Sequence, residues 1–144
     1  MIKDVDKNSL EAFFEAIPIR MVFIDTQNNI RAMNTNAWQQ ADVKVEERVG
    51  NSILTCHSQE SALRVLQVIE DLKSGRENDV IQSFQSKISG KAFREIFTAV
   101  KDKDGCYLGT LQLMYDITEE LSLRRELEEL KAIIQDSAHQ LKQG

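Results

Sequence analysis

Cys56 and His57 are adjacent, and they are the residues in this chain whose types point most directly to chemistry. A neutral imidazole is a good ligand for iron, and its second ring nitrogen allows a protein to tune the bound metal. No second ligand lies at helical spacing from His57. The alternative is therefore that His57 ends a short helix and hydrogen-bonds locally, with Cys56 packed as a small apolar side chain. The sequence leaves both interpretations open.

Asp102 and Asp104 have the appearance of paired catalytic carboxylates, but they flank Lys103 in a segment typical of a turn. Aspartates favour turns because their side chains hydrogen-bond to the backbone, and this accounts for both residues. His139 is predicted to be a solvated helix position. The sequence contains no Ser-His-Asp arrangement, glycine-rich phosphate loop or metal-spaced cluster. We therefore expect no catalytic activity.

Composition excludes several classes of protein. The chain has 144 residues, 42% of them hydrophobic, and a net charge of −5, which argues against a nucleic-acid partner. No apolar run approaches the roughly 20 residues that cross a bilayer, and the first residues do not have the form of a signal peptide. The two cysteines then indicate reduced thiols. We expect a cytoplasmic protein with no membrane partner.

The N-terminal third is predicted to contain a helix and a hairpin. The helix is capped by Ser9 and ends before Pro18. Its apolar side chains share one face and are Leu10, Phe13, Phe14 and Ile17. Strands over residues 19–25 and 30–34, separated by a turn, form the hairpin.

The middle of the chain is predicted to contain helices followed by three strands. Short helical pieces over residues 35–48 are anchored by Trp38, and Asn34 or Thr35 caps the first of them. A longer helix runs from Ser58 to Gly75. Its predicted buried face consists of Leu63, Leu66, Val68, Ile69 and Leu72. Strands follow over residues 79–88, 91–101 and 107–115. Ser89-Gly90 and Asp104-Gly105 are the predicted turns between them, and Gly109 indicates a bulge or a close approach.

The last segment has a heptad repeat. The a positions are 120, 127, 134 and 141, and the d positions are 123, 130 and 137. Glu119 and Arg124 occupy a g and the following e position, as do Glu126 and Lys131. These charges favour a parallel homodimer through residues 119–141. The alternative is a helix folded back on its own sheet, which Ile133 and Leu121 would favour because both lie off the a/d seam.

The order of these elements resembles a PAS domain over roughly residues 10 to 120. The motifs that carry the resemblance are Ile24-Asp25 with Ile30 and Asn34, residues 49–52, Asp104-Gly105, and Asp116-Ile117-Thr118. A PAS subgroup found beside hemerythrin-like domains in bacterial and archaeal proteins is similar in residues 49–57, in the helix ending at Ser74-Gly75, and in residues 99–102 and 105–111. That subgroup usually has two prolines where Ser58 and Gln59 stand here.

The resemblance implies an α+β fold with a five-stranded antiparallel sheet and a helical patch inserted after the second strand. We expect an N-terminal helix at 1–18, a PAS domain at 19–117 and a C-terminal signalling helix or coiled coil at 118–144. The side chains expected between sheet and helices are Phe23, Met33, Trp38, Leu66, Phe97, Leu111 and Met114. They either line a ligand pocket or simply fill the core. His57 lies where some PAS domains hold haem.

The resemblance also implies a function. We expect a sensory or dimerisation module of a bacterial signal-transduction protein, which relays a ligand, redox or partner signal from the sheet to the coiled coil. One alternative is a haem- or metal-binding gas or redox sensor that uses His57. Another is a protein–protein interaction module without a ligand. The identity of any ligand stays open.

Overall fold

A computed structural model of the chain describes residues 1–41 and 43–144, without the side chain of Gln40. The helices are α1 (Lys7–Ala16), α2 (Thr35–Trp38), α3 (Val45–Arg48), α4 (Gln59–Lys73) and α5 (Thr118–Gln143). The strands are β1 (Arg20–Asp25), β2 (Ile30–Met33), β3 (Asp79–Gln85), β4 (Ala92–Lys101) and β5 (Tyr107–Asp116). Two 3-10 turns cover Gln39–Ala41 and Ile53–Cys56. Among the described residues, no helix combines the length and the apolar character needed to cross a bilayer.

The strands form one antiparallel sheet in the order β2-β1-β5-β4-β3. β1 pairs with β5 from Arg20 opposite Met114 to Asp25 opposite Gly109. Its other edge pairs with β2, where Val22 lies opposite Met33. The helical segments follow β2, so the fold predicted from the sequence is confirmed.

The chain divides into two compact units, residues 1–82 with 95–115 and residues 83–94 with 116–144. The first unit contains the main apolar cluster. Its buried members are Val22, Ile24, Ile30, Met33, Trp38, Val45, Ile53, Val65 and Ile69. Alternate residues of β1 point into this cluster, as the two-residue period of a strand requires.

The predicted face of α4 is partly wrong. Val65, Ile69 and Leu72 are its buried residues, whereas Leu63 is 64% exposed. Two positions along a helix are about 200° apart, so a helix that buries Val65 turns Leu63 towards solvent. The predicted helix ends are confirmed, because Ser58 Oγ accepts the Ser61 amide at 3.3 Å and Gly75 follows with φ +78°.

Asp6, and not Ser9, caps α1. Asp6 Oδ1 accepts a hydrogen bond from the Ser9 amide at 2.7 Å, so the helix begins two residues earlier than the predicted cap. An aspartate three residues before a free amide competes directly with serine for the cap position, and the two have similar preferences. The helix ends at Ala16 and Ile17 adopts extended backbone, as expected before Pro18.

The connection between β3 and β4 is longer than predicted. β3 ends at Gln85, and Ser86 donates its amide to the Lys91 carbonyl at 2.8 Å. Gly90 closes the loop with an amide hydrogen bond to the Ser86 carbonyl at 2.8 Å, so the two-residue turn at Ser89-Gly90 is wrong. The turn before β5 is confirmed, since Asp102 Oδ1 accepts the amides of Asp104 and Cys106, both at 2.9 Å.

Candidate functional site

A cavity of ≈ 100 Å³ lies inside the first unit. Most of its lining is apolar, but three of the side chains are polar. The lining residues are Val22, Ile30, Met33, Trp38, Arg48, Ile53, His57, Gln112 and Met114. Apolar walls with a few convergent polar groups are typical of small-molecule sites.

The segment that carries Ile53 and His57 is attached to the edge of the first hairpin. The Ile53 amide donates to the Asn28 carbonyl at 2.9 Å, and the Ile30 amide donates to the Asn51 carbonyl at 2.9 Å. A 3-10 turn then begins after Ser52, whose Oγ accepts the Leu54 amide at 3.3 Å. These backbone bonds position His57, which follows the turn directly, at the cavity.

Trp38 is held by its polar edge and by its ring face. Its Nε1 donates to the Met21 carbonyl at 3.3 Å, and the Arg20 guanidinium lies 5.3 Å from the ring centroid. Arg20 also contacts Met114 through an Nη1 to Sδ distance of 3.8 Å. A cation over an indole ring is attractive, so these contacts keep one wall of the cavity in place.

Asn34, which with Thr35 was one of the two residues expected to cap α2, occupies the N-cap position, but its side chain makes no capping hydrogen bond. Asn34 is fully buried, and its Oδ1 accepts the Met21 amide at 2.8 Å while its Nδ2 donates to the carbonyls of Ile17 and Ile19. The start of α2 is satisfied instead by Glu15, whose carboxylate accepts the amides at positions 35 and 36, both at 3.1 Å. Asn34 therefore joins the end of β2 to the segment entering β1.

Gln112 belongs to a polar group inside the unit. Its Nε2 donates to Glu95 Oε1 at 2.9 Å, and Gln82 Nε2 donates to Glu95 Oε2 at 2.8 Å. Both oxygens of the buried carboxylate thus accept an amide hydrogen, which is the way a buried acid avoids a large desolvation cost. Gln112 is also one of the lining residues of the cavity.

Arg48 and His57 are the two polar side chains of the cavity that make no hydrogen bond or ion pair within residues 1–41 and 43–144. Burial lowers the pKa of His57. The negative charge of Glu95 opposes this shift, and the positive charges of Arg48 and Arg64 add to it. His57 is therefore a neutral imidazole near pH 7, chiefly because burial disfavours its charged form.

Four of the predicted site residues line the cavity, namely Met33, Trp38, His57 and Met114. Phe23 and Phe97 lie outside its lining. Phe23 alternates with the buried Val22 and Ile24, and its ring packs against Gly109. Phe97 is fully buried elsewhere in the core, and Leu66 and Leu111 are half-buried outside the lining as well.

Sequence reasoning missed Arg48 and Gln112. A signal for Gln112 was present, because it precedes Met114 by two positions and so shares a strand face with it. Arg48 gave no comparable signal, since a charged residue at the end of a short helix is ordinarily solvated.

A haem does not fit the residues around His57. The cavity of ≈ 100 Å³ is several times smaller than the macrocycle. The described part of the chain also contains no group of three or more His, Cys, Asp and Glu side chains that could hold a metal ion.

The second unit contains the junction between β5 and α5. Thr118 Oγ1 accepts the Ala92 amide at 3.0 Å and donates to Asp116 Oδ1 at 2.5 Å. The Ile117 amide donates to the Ala92 carbonyl at 2.9 Å, and Lys91 Nζ lies 3.8 Å from Asp116 Oδ2. The first residues of β4 and the start of α5 are thereby bonded to each other.

α5 presents an exposed apolar stripe. No residue of the helix is fully buried, and its exposed large apolar side chains are Leu123, Leu127, Leu130, Ile133, Ile134 and Leu141. All except Ile133 occupy a or d positions of the predicted heptad. Leu121, off that seam, is half-buried. Glu120 forms ion pairs with Arg124 at 2.9 Å and with Arg94 at 4.0 Å.

Comparisons with known proteins agree with this architecture. The family model described as a PAS domain matches residues 10–118. A C-terminal domain from Streptococcus mutans is 22% identical with a TM-score of 0.71, over 85% of this chain and 95% of that one. The PAS domain of BvgS from Bordetella pertussis is 15% identical with a TM-score of 0.65, over 87% and 96%.

A third similar structure is the Aer2 receptor from Vibrio cholerae, described as a dual PAS-haem oxygen sensor. It is 20% identical with a TM-score of 0.54, over 69% of this chain and 95% of that one. A search of the curated proteins finds no match. At these identities the likeness to solved structures concerns the fold.

Proposed function

Because the chain belongs to the PAS domain family, we propose that it is a cytoplasmic sensory module of a bacterial signal-transduction protein. It has no catalysis of its own, and it converts occupancy of its cavity into a change in the packing of α5. The similarity of residues 49–57, 99–102 and 105–111 and of the helix ending at Ser74-Gly75 to the subgroup found beside hemerythrin-like domains is part of this proposal.

The observation that carries the proposal is the course of β5. This strand brings Gln112 and Met114 to the cavity and ends at Asp116, directly before α5. A strand that is continuous with the output helix transmits a shift in its register or twist without an intervening loop. The output would be a switch of α5 between two discrete packing arrangements.

The partner of α5 is a second copy of the chain, in parallel. The support is the exposed stripe, whose members at positions 123, 127, 130, 134 and 141 follow the heptad. A single helix that exposes such a stripe buries it by pairing. In a parallel pair Glu126 of one copy faces Lys131 of the other, and Glu119 faces Arg124 in the same way.

Mass measurement of the full chain by sedimentation tests the pairing. We expect a dimer of two 16.4 kDa chains, which Leu127→Asp converts to a monomer because a charge at an a position cannot be buried. A wild-type chain that stays monomeric at every concentration would contradict the proposal.

A charge-reversal cycle tests the parallel register. Glu126→Lys should weaken the dimer about threefold to tenfold, the range expected for exposed ion pairs, and adding Lys131→Glu should restore it. Glu129→Lys is the matched control, because position 129 lies outside the e and g positions. Equal weakening by the control would exclude this register.

A further inference from the structure

The strongest unexplained group in the first unit is the Arg48 guanidinium. It is half-buried and lines an otherwise largely apolar cavity. Within the part of the chain that the structure describes, no acidic side chain forms an ion pair or a hydrogen bond with it. A charge taken partly out of water without a partner is costly, and an anionic ligand would remove this cost.

The neighbours of Arg48 strengthen the preference for an anion. His57 has no hydrogen-bond partner among the described residues, and burial, which is the largest cause, lowers its pKa and keeps the imidazole neutral near pH 7. The nearby acid, Glu95, does not line the cavity, and both of its oxygens are engaged by amides. The free donors at the cavity therefore outnumber its acceptors.

The remaining lining and the size of the cavity define the rest of the ligand. Met33, Ile53 and Met114 offer only apolar contacts. An engineered apolar cavity of about 150 Å³ holds the six carbon atoms of benzene, so ≈ 100 Å³ is enough for about four non-hydrogen atoms. A planar carboxylate matches the two parallel donors of a guanidinium, which favours a carboxylate over a spherical anion.

Arg48 also lines a second, outer cleft of ≈ 500 Å³, together with Lys44, Glu47, Asn51 and Cys56. The carboxylate of Glu47 is paired there with Lys44 at 3.1 Å. The Arg48 side chain thus borders both solvent and the inner cavity. A guanidinium at this position can bind an anionic group from water and hold it at the mouth of the cavity, while an apolar tail of the same ligand enters the cavity.

We propose that the cavity binds the anion of a short-chain aliphatic carboxylic acid. Its carboxylate is held by Arg48 and His57, and its hydrocarbon tail lies among the apolar lining residues. This inference rests on the proposed sensory function and names the chemical class of the signal.

NMR titration of the full chain with acetate, propionate and butyrate tests the inference. We expect saturable shifts of the His57 ring and the Trp38 indole, with propionate or butyrate binding more tightly than acetate because the tail adds apolar contact. Bound carboxylate should also raise the pKa of His57, since an adjacent negative charge favours imidazolium. Propionamide should bind at least about tenfold more weakly, because it has the same shape without the charge.

Two variants distinguish binding at Arg48 from a general effect of removing a positive charge near the cavity. Arg48→Gln should weaken propionate binding about tenfold or more, whereas Lys44→Gln, on the outer cleft but not the cavity, should change it less than about twofold. Circular dichroism and the thermal midpoint establish that each variant is folded. If Arg48→Gln does not fold, Arg48→Lys serves instead, and it should weaken binding because lysine lacks the bidentate fork.

Two results would overturn the inference. One is the absence of binding by all three acids up to about 10 mM, a concentration that detects even millimolar affinity. The other is nitrate binding as tightly as propionate, which would reveal an anion site without a tail pocket. Dimer mass is measured independently, so an intact dimer with no carboxylate binding rejects the ligand class and leaves the proposed module standing.

Discussion

Gln112 donates a hydrogen bond from Nε2 to Glu95 Oε1 over 2.9 Å, with both side chains almost completely buried, at 4% and 8% exposure. Gln82 supplies the second oxygen of the carboxylate with its own hydrogen bond. The hydrogen bonds among Glu95, Gln82 and Gln112 orient the amide of Gln112, which is one of the polar residues that line the cavity.

Glu95→Gln should destabilise the fold by about 1–3 kcal/mol. Glutamine places an NH2 group where one carboxylate oxygen stood, so this NH2 meets the NH2 of Gln82 or Gln112 and that hydrogen bond is lost. Urea unfolding measures the change. Glu77→Gln, at an exposed position, is the control and should leave the free energy of unfolding within about 0.5 kcal/mol of the wild type. Equal free energies of unfolding for the two variants would show that the hydrogen bonds of Glu95 do not stabilise the fold.

Gly109→Ala should cost much more stability than Gly105→Ala. Both glycines have positive φ, +156° and +82°. A Cβ at Gly109 would lie 2.3 Å from the Ile24 carbonyl oxygen and 2.8 Å from the Phe23 ring, whereas Gly105 has open space around it.

The Gly105 variant should cost about 1–2 kcal/mol for the left-handed backbone. The Gly109 variant should lose a further 1–3 kcal/mol, roughly, through overpacking. Thermal unfolding of the two variants side by side makes the comparison. If the midpoints fall by the same amount, the close approach of β5 to β1 at Gly109 is not rigid.

His57 should make the folded state less stable as pH falls below its ordinary pKa of 6.5. Burial lowers its pKa in the folded state, so between 6.5 and that lower value the unfolded chain binds more protons. The stability that the neutral His57 contributes to the folded state is fully present above pH 6.5. It is lost as the pH falls from 6.5 through the lower pKa of the folded state. Asp25, whose pKa is also lowered, acts in a separate window below its usual 3.8.

Urea unfolding at roughly pH 7.5, 6.5 and 5.5 detects this dependence. His57→Gln should flatten the curve between the last two values, and His139→Gln, at an exposed position of α5, should not. An unchanged slope in the His57 variant would mean that this imidazole titrates alike in both states.

Thr118→Val should weaken the junction between β5 and α5 by about 1–2 kcal/mol. Valine keeps the shape of threonine but loses the acceptor for the Ala92 amide and the donor to Asp116. Hydrogen exchange of the Ala92 amide is the direct readout and should accelerate. Thr118→Ser retains the hydroxyl and should preserve protection; if serine behaves like valine, the methyl group and not the hydrogen bond stabilises the junction.

Much of the fold was predictable from short-range signals. Pro18 ends α1, Ser58 begins α4, and Asp104-Gly105 forms a turn because each acts through bonds within a few residues of itself. The same applies to Asp116-Ile117-Thr118, whose side chains bond across two positions. These local rules determined the order of the elements, and that order identified the fold.

The cavity was less predictable. Met33, Trp38 and Met114 were expected because large apolar side chains at strand and helix positions pack inward, and His57 was singled out by its residue type. The polar members depend on which residues distant in sequence come together. Glu95 and Gln112 are 17 positions apart, and Asn34 bonds to a carbonyl 17 positions away.

The sequence by itself therefore determined the PAS architecture and the continuous strand-to-helix junction, since both depend on local geometry and on patterns of burial. Only the tertiary structure decided that Arg48, His57 and Gln112 share one small cavity and that Glu95 is held inside by two amides. The physical reason is that a hydrogen bond or an unpaired charge is defined by its surroundings, and those surroundings exist only after strands and helices far apart in the chain have packed.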